Sequence, residues 1–292
     1  MVAGVFAHNC EEPNLQNIAR PSTIEAKMAR DLFVAPPGRI LLEADFSQLE
    51  LRVATMLSGD PDMLKIWEEG VDYHQRTAEL IAKTAWGIDP SQVTGEHRSQ
   101  AKTVNFAILY GMAAKTLARK LHISQADAER ILVAIRGKFK VFARWCDEQL
   151  MLAKRLGYVR TWWNGQPARR RPLLAIGNSR SSEQDRKAIS NAEKAAVNTP
   201  IQGTASDFCL ASLGACVQWI RGDYVPTKLV LTVHDSLMFE VDDNDEAIEE
   251  VAFNANRIMS SWPSAGKVEV PLVIDFKKGQ AWGSLKKYKL AA

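Results

Sequence analysis

A chain of 292 residues, 46% hydrophobic and 24% charged, has an ordinary globular composition and is long enough for one large domain or two smaller ones. No apolar run approaches the roughly 20 residues of a membrane helix, and residues 1–9 lack the charged start and apolar core of a signal peptide, so a cytoplasmic chain is expected. The net charge of +3 is unevenly spread: residues 98–194 hold 20 Lys and Arg against 7 Asp and Glu, or +13, and the remainder holds 17 against 27, or −10, so one part suits a polyanion and another can hold cations.

Residues 1–40 show little periodicity and many turn formers, among them Pro13, Asn14, Asn17, Pro21, Pro36, Pro37 and Gly38, and read mostly as loop. Asn14, Gln16 and Asn17 carry amides able to cap turns. Residues 39–48 read as a strand that passes into a helix over residues 48–57. Asp45 sits at that transition, where a carboxylate is exposed; a helix-capping Asp45 and a Glu50 paired with Arg52 form the structural alternative. A turn at residues 59–62 leads into helical patterns that continue to about Lys194. His74 lies early in them, as a surface or core residue or as a ligand contact.

No proline interrupts residues 96–112, and Gly111 supplies a stop, so a helix ending near Gly111 is expected. Arg98, Lys102, Phe106 and Tyr110 recur every four residues. Each step drifts by about 40° from the 3.6-residue turn, which draws the four side chains into one slanting stripe from two cations to two rings. The cation end suits phosphates and the ring end suits a base or sugar. An amphipathic helix with solvated cations and buried rings fits the same pattern.

Residues 117–121, 125–139 and 141–156 are amphipathic without a chemical signature. Residues 157–161 begin a hairpin that ends in Arg169-Arg170-Arg171, which suit phosphates or solvent. Thr199 as cap, Pro200 at the first helical position and Gln202 three beyond the cap form a capping-box pattern that predicts a helix start. Residues 228–241 place apolar and β-branched runs on either side of a short polar tip at His234-Asp235, a hairpin pattern. Acidic residues 242–250 start a last helix, and residues 270–276 make a closing strand. Cys10, Cys146, Cys209 and Cys216 lack Cys-x-x-Cys spacing and read as free thiols.

The string Arg98-Ser-Gln-Ala-Lys102-Thr-Val-Asn-Phe106-Ala-Ile-Leu-Tyr110-Gly111 closely resembles the nucleotide-binding helix of the family A DNA polymerases. Asp45-Phe46-Ser47-Gln48-Leu49-Glu50-Leu51-Arg52 resembles the first carboxylate motif of that family, and Val233-His234-Asp235-Ser236 the second, in the expected order. The resemblance implies an α+β fold in which an antiparallel palm sheet holds an inserted, mostly helical fingers subdomain. It divides the chain into palm over residues 1–58, fingers over 59–195 and palm again over 196–292.

The same resemblance implies a template-directed DNA polymerase with two Mg²⁺ ions, Mn²⁺ being a possible substitute, held by Asp45 and Asp235, which are 190 residues apart in sequence. It assigns Arg98 and Lys102 to the triphosphate, His74 to the incoming phosphates, Phe106 to sugar and base, and Tyr110 to the border of the templating position. Gln48 joins the nucleotide-binding set, and Glu50 excludes a ribose 2′-hydroxyl. Asn14, Gln16 and Asn17 face the minor groove, Lys194, Asn198 and Gln202 contact template and primer, and His234 lies near the primer terminus. This chain departs from the family pattern in four places. No arginine occurs in residues 5–10, extra residues stand at 164–168, Lys194 replaces an arginine and loses its bidentate fork, and Ser236 stands where glutamate is frequent.

The implied partners are primer-template DNA, deoxynucleoside triphosphates and, because only twelve residues precede Pro13, a separate polypeptide supplying a thumb or processivity function; no exonuclease activity is expected. The implied location is the cytoplasm of a bacterium or of a phage-infected cell. A single-subunit RNA polymerase is the nearest rival, and Glu50 argues against it. A non-catalytic DNA-binding remnant is a second, and intact Asp45, Lys102 and Asp235 argue against that.

Overall fold

The computed structural model describes residues 18, 23–177, 179, 181–223, 225–262 and 266–291. In chain order its elements are α1 (Ile24–Asp31), β1 (Arg39–Phe46), α2 (Leu49–Ser58), α3 (Pro61–Glu68), α4 (Tyr73–Trp86), α5 (Gly95–Leu109), α6 (Ala114–Leu121), α7 (Gln125–Lys138) and α8 (Lys140–Leu156). They continue with β2 (Tyr158–Trp163), β3 (Gln166–Pro172), α9 (Glu183–Gly222), β4 (Lys228–Val233), β5 (Ser236–Asp242), α10 (Asp245–Ser260), β6 (Ile274–Gly279) and β7 (Lys286–Tyr288). The fold is α+β. No helix among the described residues is long and apolar enough to cross a membrane. Two compact units are formed: the first from the described residues of Met1–Leu49, Ala205–Pro263 and Pro271–Ala292, the second from Glu50–Thr204 and Ser264–Val270.

The first unit is built on a five-stranded sheet in the order β4-β5-β1-β6-β7, with each neighbouring pair antiparallel. Its central strand β1 is buried along nearly its whole length, and α10 packs across β1, β5 and β6. A strand covered on both faces reads as an apolar run rather than an alternation, and Leu41, Leu42, Ala44 and Phe46 fill that role. The charged exception is Glu43, which is buried and accepts a 2.6 Å hydrogen bond from the Lys277 ammonium, its cross-strand partner on β6. A buried carboxylate is tolerated only with such a partner.

Two expectations for this unit change. The closing strand begins at Ile274 rather than in residues 270–273 and runs on to Gly279, because Ile274 pairs with Phe46 and Gly279 with Leu41, and Pro271 has no N–H to give a ladder. Residues 24–31 are helix, not loop. Thr23 caps that helix by accepting from the Ala26 N–H at 3.2 Å, and the buried Arg30 lays its guanidinium 4.1 Å from the centre of the Trp282 ring. One amphipathic stretch of two turns was too short to stand out among so many turn formers.

In the second unit a single carboxylate organises two helix starts. Asp60 is 1% exposed; its Oδ1 accepts from the N–H groups of Asp62 and Met63 at 3.0 Å, and its Oδ2 from Val141 at 3.0 Å and Phe142 at 2.9 Å. It thereby satisfies four donors that the first turns of α3 and α8 leave without intrahelical partners.

The predicted helix start at Thr199 is overturned: α9 begins at Glu183 and passes through Pro200 as one 40-residue helix. A proline inside a helix costs about 3 kcal/mol through its missing N–H and its clash with the preceding turn. Burial of Ala196, Thr199 and Ile201 offsets that cost, and the Thr199 hydroxyl, free of any capping duty, accepts from Arg171 at 2.7 Å.

Asp60→Ala should lower stability by about 3 kcal/mol, since four N–H groups, two of them in buried bonds, lose their acceptor. Urea unfolding measures this directly, and a loss below about 1 kcal/mol would contradict the double cap.

Candidate active site

The strand pairing of the first unit decides where its carboxylates stand. Asp45 is the penultimate residue of β1 and lies opposite Ser236 on one side and Asp275 on the other. The next residue, Phe46, donates its N–H to the Asp235 carbonyl at 3.1 Å. Asp45 and Asp235 therefore sit on adjoining backbone despite their separation in sequence. Both are half-buried.

Asp235 occupies a two-residue tip between β4 and β5, closed by the Val233–Ser236 pair. Its neighbour His234 is exposed and takes φ +56°, and Gln48, just after β1, takes φ +54°. Few non-glycine residues adopt that left-handed region. Ser236 is buried and donates its hydroxyl to the Val233 carbonyl at 3.0 Å, so the serine that replaces a frequent glutamate closes the turn from inside.

Asp275 and Lys277 had no signal in sequence beyond their place in an alternating strand. Burial depresses the Lys277 ammonium most, but its hydrogen bond to Glu43 and the charges of Glu43, Asp45 and Asp275 outweigh this and raise its pKa. Lys277 is thus a fixed cation among three carboxylates.

The second unit carries the helix stripe. α5 ends in a full Schellman motif: Gly111 takes φ +58°, its N–H donates to Ile108 at 3.3 Å, and the Met112 N–H donates to Ala107 at 2.8 Å. Arg98, Lys102, Phe106 and Tyr110 are all half-buried on one face, while Ala101, Val104 and Ala107 are buried on another. The Lys102 ammonium lies 5.9 Å from the Phe106 ring centre, and the Phe106 and Tyr110 rings are 5.9 Å apart. Neither ring is fully buried and neither cation fully solvated, so the stripe is a boundary face. The Tyr110 hydroxyl donates to Glu50 at 2.5 Å, joining two residues singled out in sequence.

Arg98 is ion-paired, although its side chain is 42% exposed. Its Nε and Nη2 donate to the two oxygens of Asp72 at 2.9 and 2.8 Å, and Asp72 also caps α4 by accepting from the Gln75 N–H at 2.8 Å. Burial tends to raise the Asp72 pKa, but the Arg98 fork and the Gln75 N–H prevail and lower it. Asp72 thereby raises Arg98 above its ordinary value.

His74 is 6% exposed, and burial lowers its pKa to about 4, with Arg98 and Lys102 adding to the effect and Asp72 opposing it. A neutral imidazole needs one acceptor and one donor nitrogen. Asn105, 2% exposed, presents its amide nitrogen to His74 Nδ1 at 2.9 Å and its amide oxygen to the Thr77 hydroxyl at 3.0 Å. An amide in that orientation pairs with a neutral ring that accepts at Nδ1 and carries its proton on Nε2. Asn105 was missed in sequence; a buried amide on the apolar side of a helix is its only trace.

Lys194, Asn198 and Gln202 repeat at four-residue spacing on α9. Lys194 is exposed, and the Asn198 amide donates to Gln202 Oε1 at 3.4 Å. Asn14, Gln16 and Asn17 lie outside the described residues.

Residues 7–284 match the family model described as DNA polymerase family A. The chain belongs to DNA polymerase family A. Its family A relatives include DNA polymerase I of Caldicellulosiruptor bescii, 32% identical over 272 residues that make up 93% of this chain and 30% of that protein. The thermostable DNA polymerase I of Thermus filiformis is 34% identical over 271 residues, again 93% and 30% of the two chains. The chain therefore spans about three tenths of the length of these relatives. Among solved structures, the POL domain of Pol1 from M. smegmatis in complex with DNA primer-template and dNTP superposes with a TM-score of 0.81 at 30% identity, over 94% of this chain and 45% of that one.

The His74 assignment has a pH consequence. With the folded pKa near 4 and the unfolded value near 6.5, the unfolded chain holds the proton more readily. The stability that neutral His74 contributes is complete above pH 6.5 and is lost as pH falls from 6.5 towards 4. Imidazole NMR should find Nε2 protonated and Nδ1 bare between pH 5 and 8, with a midpoint near 4. Asn105→Leu should cost about 1–3 kcal/mol by leaving buried polar groups unpaired. A wild-type midpoint above 6 would refute the arrangement.

Proposed function

We propose that this chain is the catalytic region of a template-directed DNA polymerase that adds deoxynucleotides to a primer 3′-hydroxyl. The observation that supports the reading is the β1–β5 register, in which Asp45 pairs with Ser236 and the next residue, Phe46, bonds the Asp235 backbone, in a family A chain. The primer-template and dNTP held by the M. smegmatis relative support the same substrates here. In this reading the sheet unit is the palm, residues 59–195 are the fingers, and the enzyme works in the bacterial cytoplasm, in replication or repair.

The donor chemistry fits the metal. Two carboxylates are hard oxygen ligands of the kind Mg²⁺ takes in ones and twos, its other positions going to water and substrate phosphates; Mn²⁺ accepts the same set. When bound, a pair of such ions activates the attacking hydroxyl and neutralises charge on the leaving phosphates.

The remaining work falls to the chain. Arg98 exchanges the Asp72 carboxylate for the triphosphate, another anion that its planar fork matches, and Lys102 adds a second cation. His74 donates its Nε2 proton as a hydrogen bond to a phosphate oxygen without changing charge at neutral pH. Phe106 packs on sugar and base, Tyr110 borders the templating position, and Gln48 flanks the nucleotide. Glu50, held by the Tyr110 hydroxyl, closes the space a ribose 2′-hydroxyl would need. Asn14, Gln16, Asn17, Lys194, Asn198, Gln202 and His234 contact primer and template.

Primer extension tests the reading. Asp45→Asn and Asp235→Asn should each lower nucleotide addition by about a thousand-fold while primer-template binding stays within a few fold. Turnover near wild type in either variant would refute the metal assignment. Glu50→Ala should narrow the preference for deoxy- over ribonucleotides in single-nucleotide kinetics. Unchanged discrimination would remove Glu50 as the gate.

A further inference from the structure

One face of the sheet unit gathers four charged side chains in a square. Glu43 and Asp45 lie two residues apart on β1 and so share a face, as do Asp275 and Lys277 on β6. The register sets Glu43 opposite Lys277 and Asp45 opposite Asp275. The first pair attracts and the second repels, because like charges placed directly opposite destabilise a strand pair. Lys277 is also the diagonal neighbour of Asp45. Such positions are about 7–8 Å apart, within the influence of a long side chain.

The Lys277 ammonium has a fixed place in this square. Its 2.6 Å bond goes to Glu43, and the two side chains are 38% and 9% exposed. Burial lowers its pKa most, yet the Glu43 bond and the charges of Glu43, Asp45 and Asp275 raise it overall, so the group is a permanent cation. Stability alone gives little reason for the pair, since exchanging a buried ion pair for apolar residues of similar volume is often neutral or favourable. What the pair supplies is a positive charge anchored beside Asp45 and bonded elsewhere.

We infer that Lys277 is a positioning residue of the Asp45–Asp235 cation site: anchored by Glu43, its ammonium is a built-in counter-charge beside Asp45 that weakens the binding of a divalent cation there. The inference rests on the metal reading above. At a diagonal separation, repulsion between an ammonium and a divalent ion, even screened as in bulk water, changes affinity by on the order of ten-fold. Glu43 keeps the ammonium on its own side of the square. Without that anchor the flexible lysine stem is free to pair with Asp45 or Asp275 directly and to compete with the cation. The square thereby sets a low resting affinity, which rises where substrate phosphates add oxygen ligands and charge of their own.

Mn²⁺ binding to the full chain, read by electron paramagnetic resonance at low ionic strength where charges are least screened, tests this. The comparison is between Glu43→Gln and the double variant that adds Lys277→Met. Both carry the same change at position 43, so the ammonium is isolated, and neither leaves a buried carboxylate unpaired. Glu43→Gln should bind Mn²⁺ several-fold more weakly than wild type, and the double variant should bind it about ten-fold more tightly than Glu43→Gln. Replacing Lys277→Met by Lys277→Gln in the double variant keeps a hydrogen-bonding side chain, and the gain should recur. In primer extension the Mn²⁺ concentration giving half-maximal rate should fall with the loss of the ammonium, while kcat moves less. A lysine that served the sheet alone predicts the opposite direction, because its loss would loosen β6 and weaken binding. Equal or weaker Mn²⁺ affinity in both double variants would overturn the inference. Asp45→Asn, measured alongside, keeps the two claims apart. If it abolishes Mn²⁺ binding while loss of the ammonium brings no gain, the cation site stands and the role of Lys277 falls. Mn²⁺ binding indifferent to Asp45→Asn would overturn the cation site and the inference with it.

Discussion

A single antiparallel register holds the chemistry of the sheet unit together. β1 pairs with β5 so that Asp45 stands opposite Ser236, and the Phe46 N–H binds the Asp235 carbonyl at 3.1 Å. A shift of one residue would turn Asp45 to the other face, since side chains alternate along a strand. The register is protected by burial, because β1 lies at the centre with Leu42 and Ala44 fully covered. The Glu43–Lys277 bond holds the neighbouring β1–β6 register on the other side of the same strand. The structural ion pair and the proposed metal carboxylates thus depend on the same strand.

The helical unit solves a different electrostatic problem. The face proposed for triphosphate gathers positive charge, and cations without partners repel one another. Asp72 relieves this by holding Arg98 in a two-point fork, and it also caps the helix that carries His74. Burial and the nearby cations keep the His74 ring neutral at neutral pH, so it adds no further charge there. The buried Asn105 amide is the hydrogen-bond partner of His74 Nδ1. Here burial and the local field together set the protonation state.

Much of this was legible in sequence because it is local. The four-residue recurrence of Arg98, Lys102, Phe106 and Tyr110 and the glycine stop at Gly111 depend on neighbours within one helix, and α5 ends at that stop. The tip at His234-Asp235 follows from apolar runs around two polar residues, and it forms a two-residue turn. The illegible parts depend on distant partners. Pro200 read as a helix start because its local chemistry favours one, and only tertiary packing of Ala196, Thr199 and Ile201 carries α9 through it. The three consecutive arginines looked equivalent, yet strand alternation against α9 gives two of them structural partners. Asn105 and Lys277 matter through contacts 31 and 234 residues away, which no local pattern encodes.

The central claim is that Asp45 and Asp235 form one cation site rather than two separate carboxylates. Equilibrium binding of Mn²⁺, followed by its electron paramagnetic resonance signal, tests this without relying on turnover. The account predicts that Asp45→Asn and Asp235→Asn each remove most of the binding of the wild-type chain and that the double variant loses little more, because residues sharing one ligand are not additive. Single effects that simply add, or Mn²⁺ binding undiminished in either variant, would contradict it.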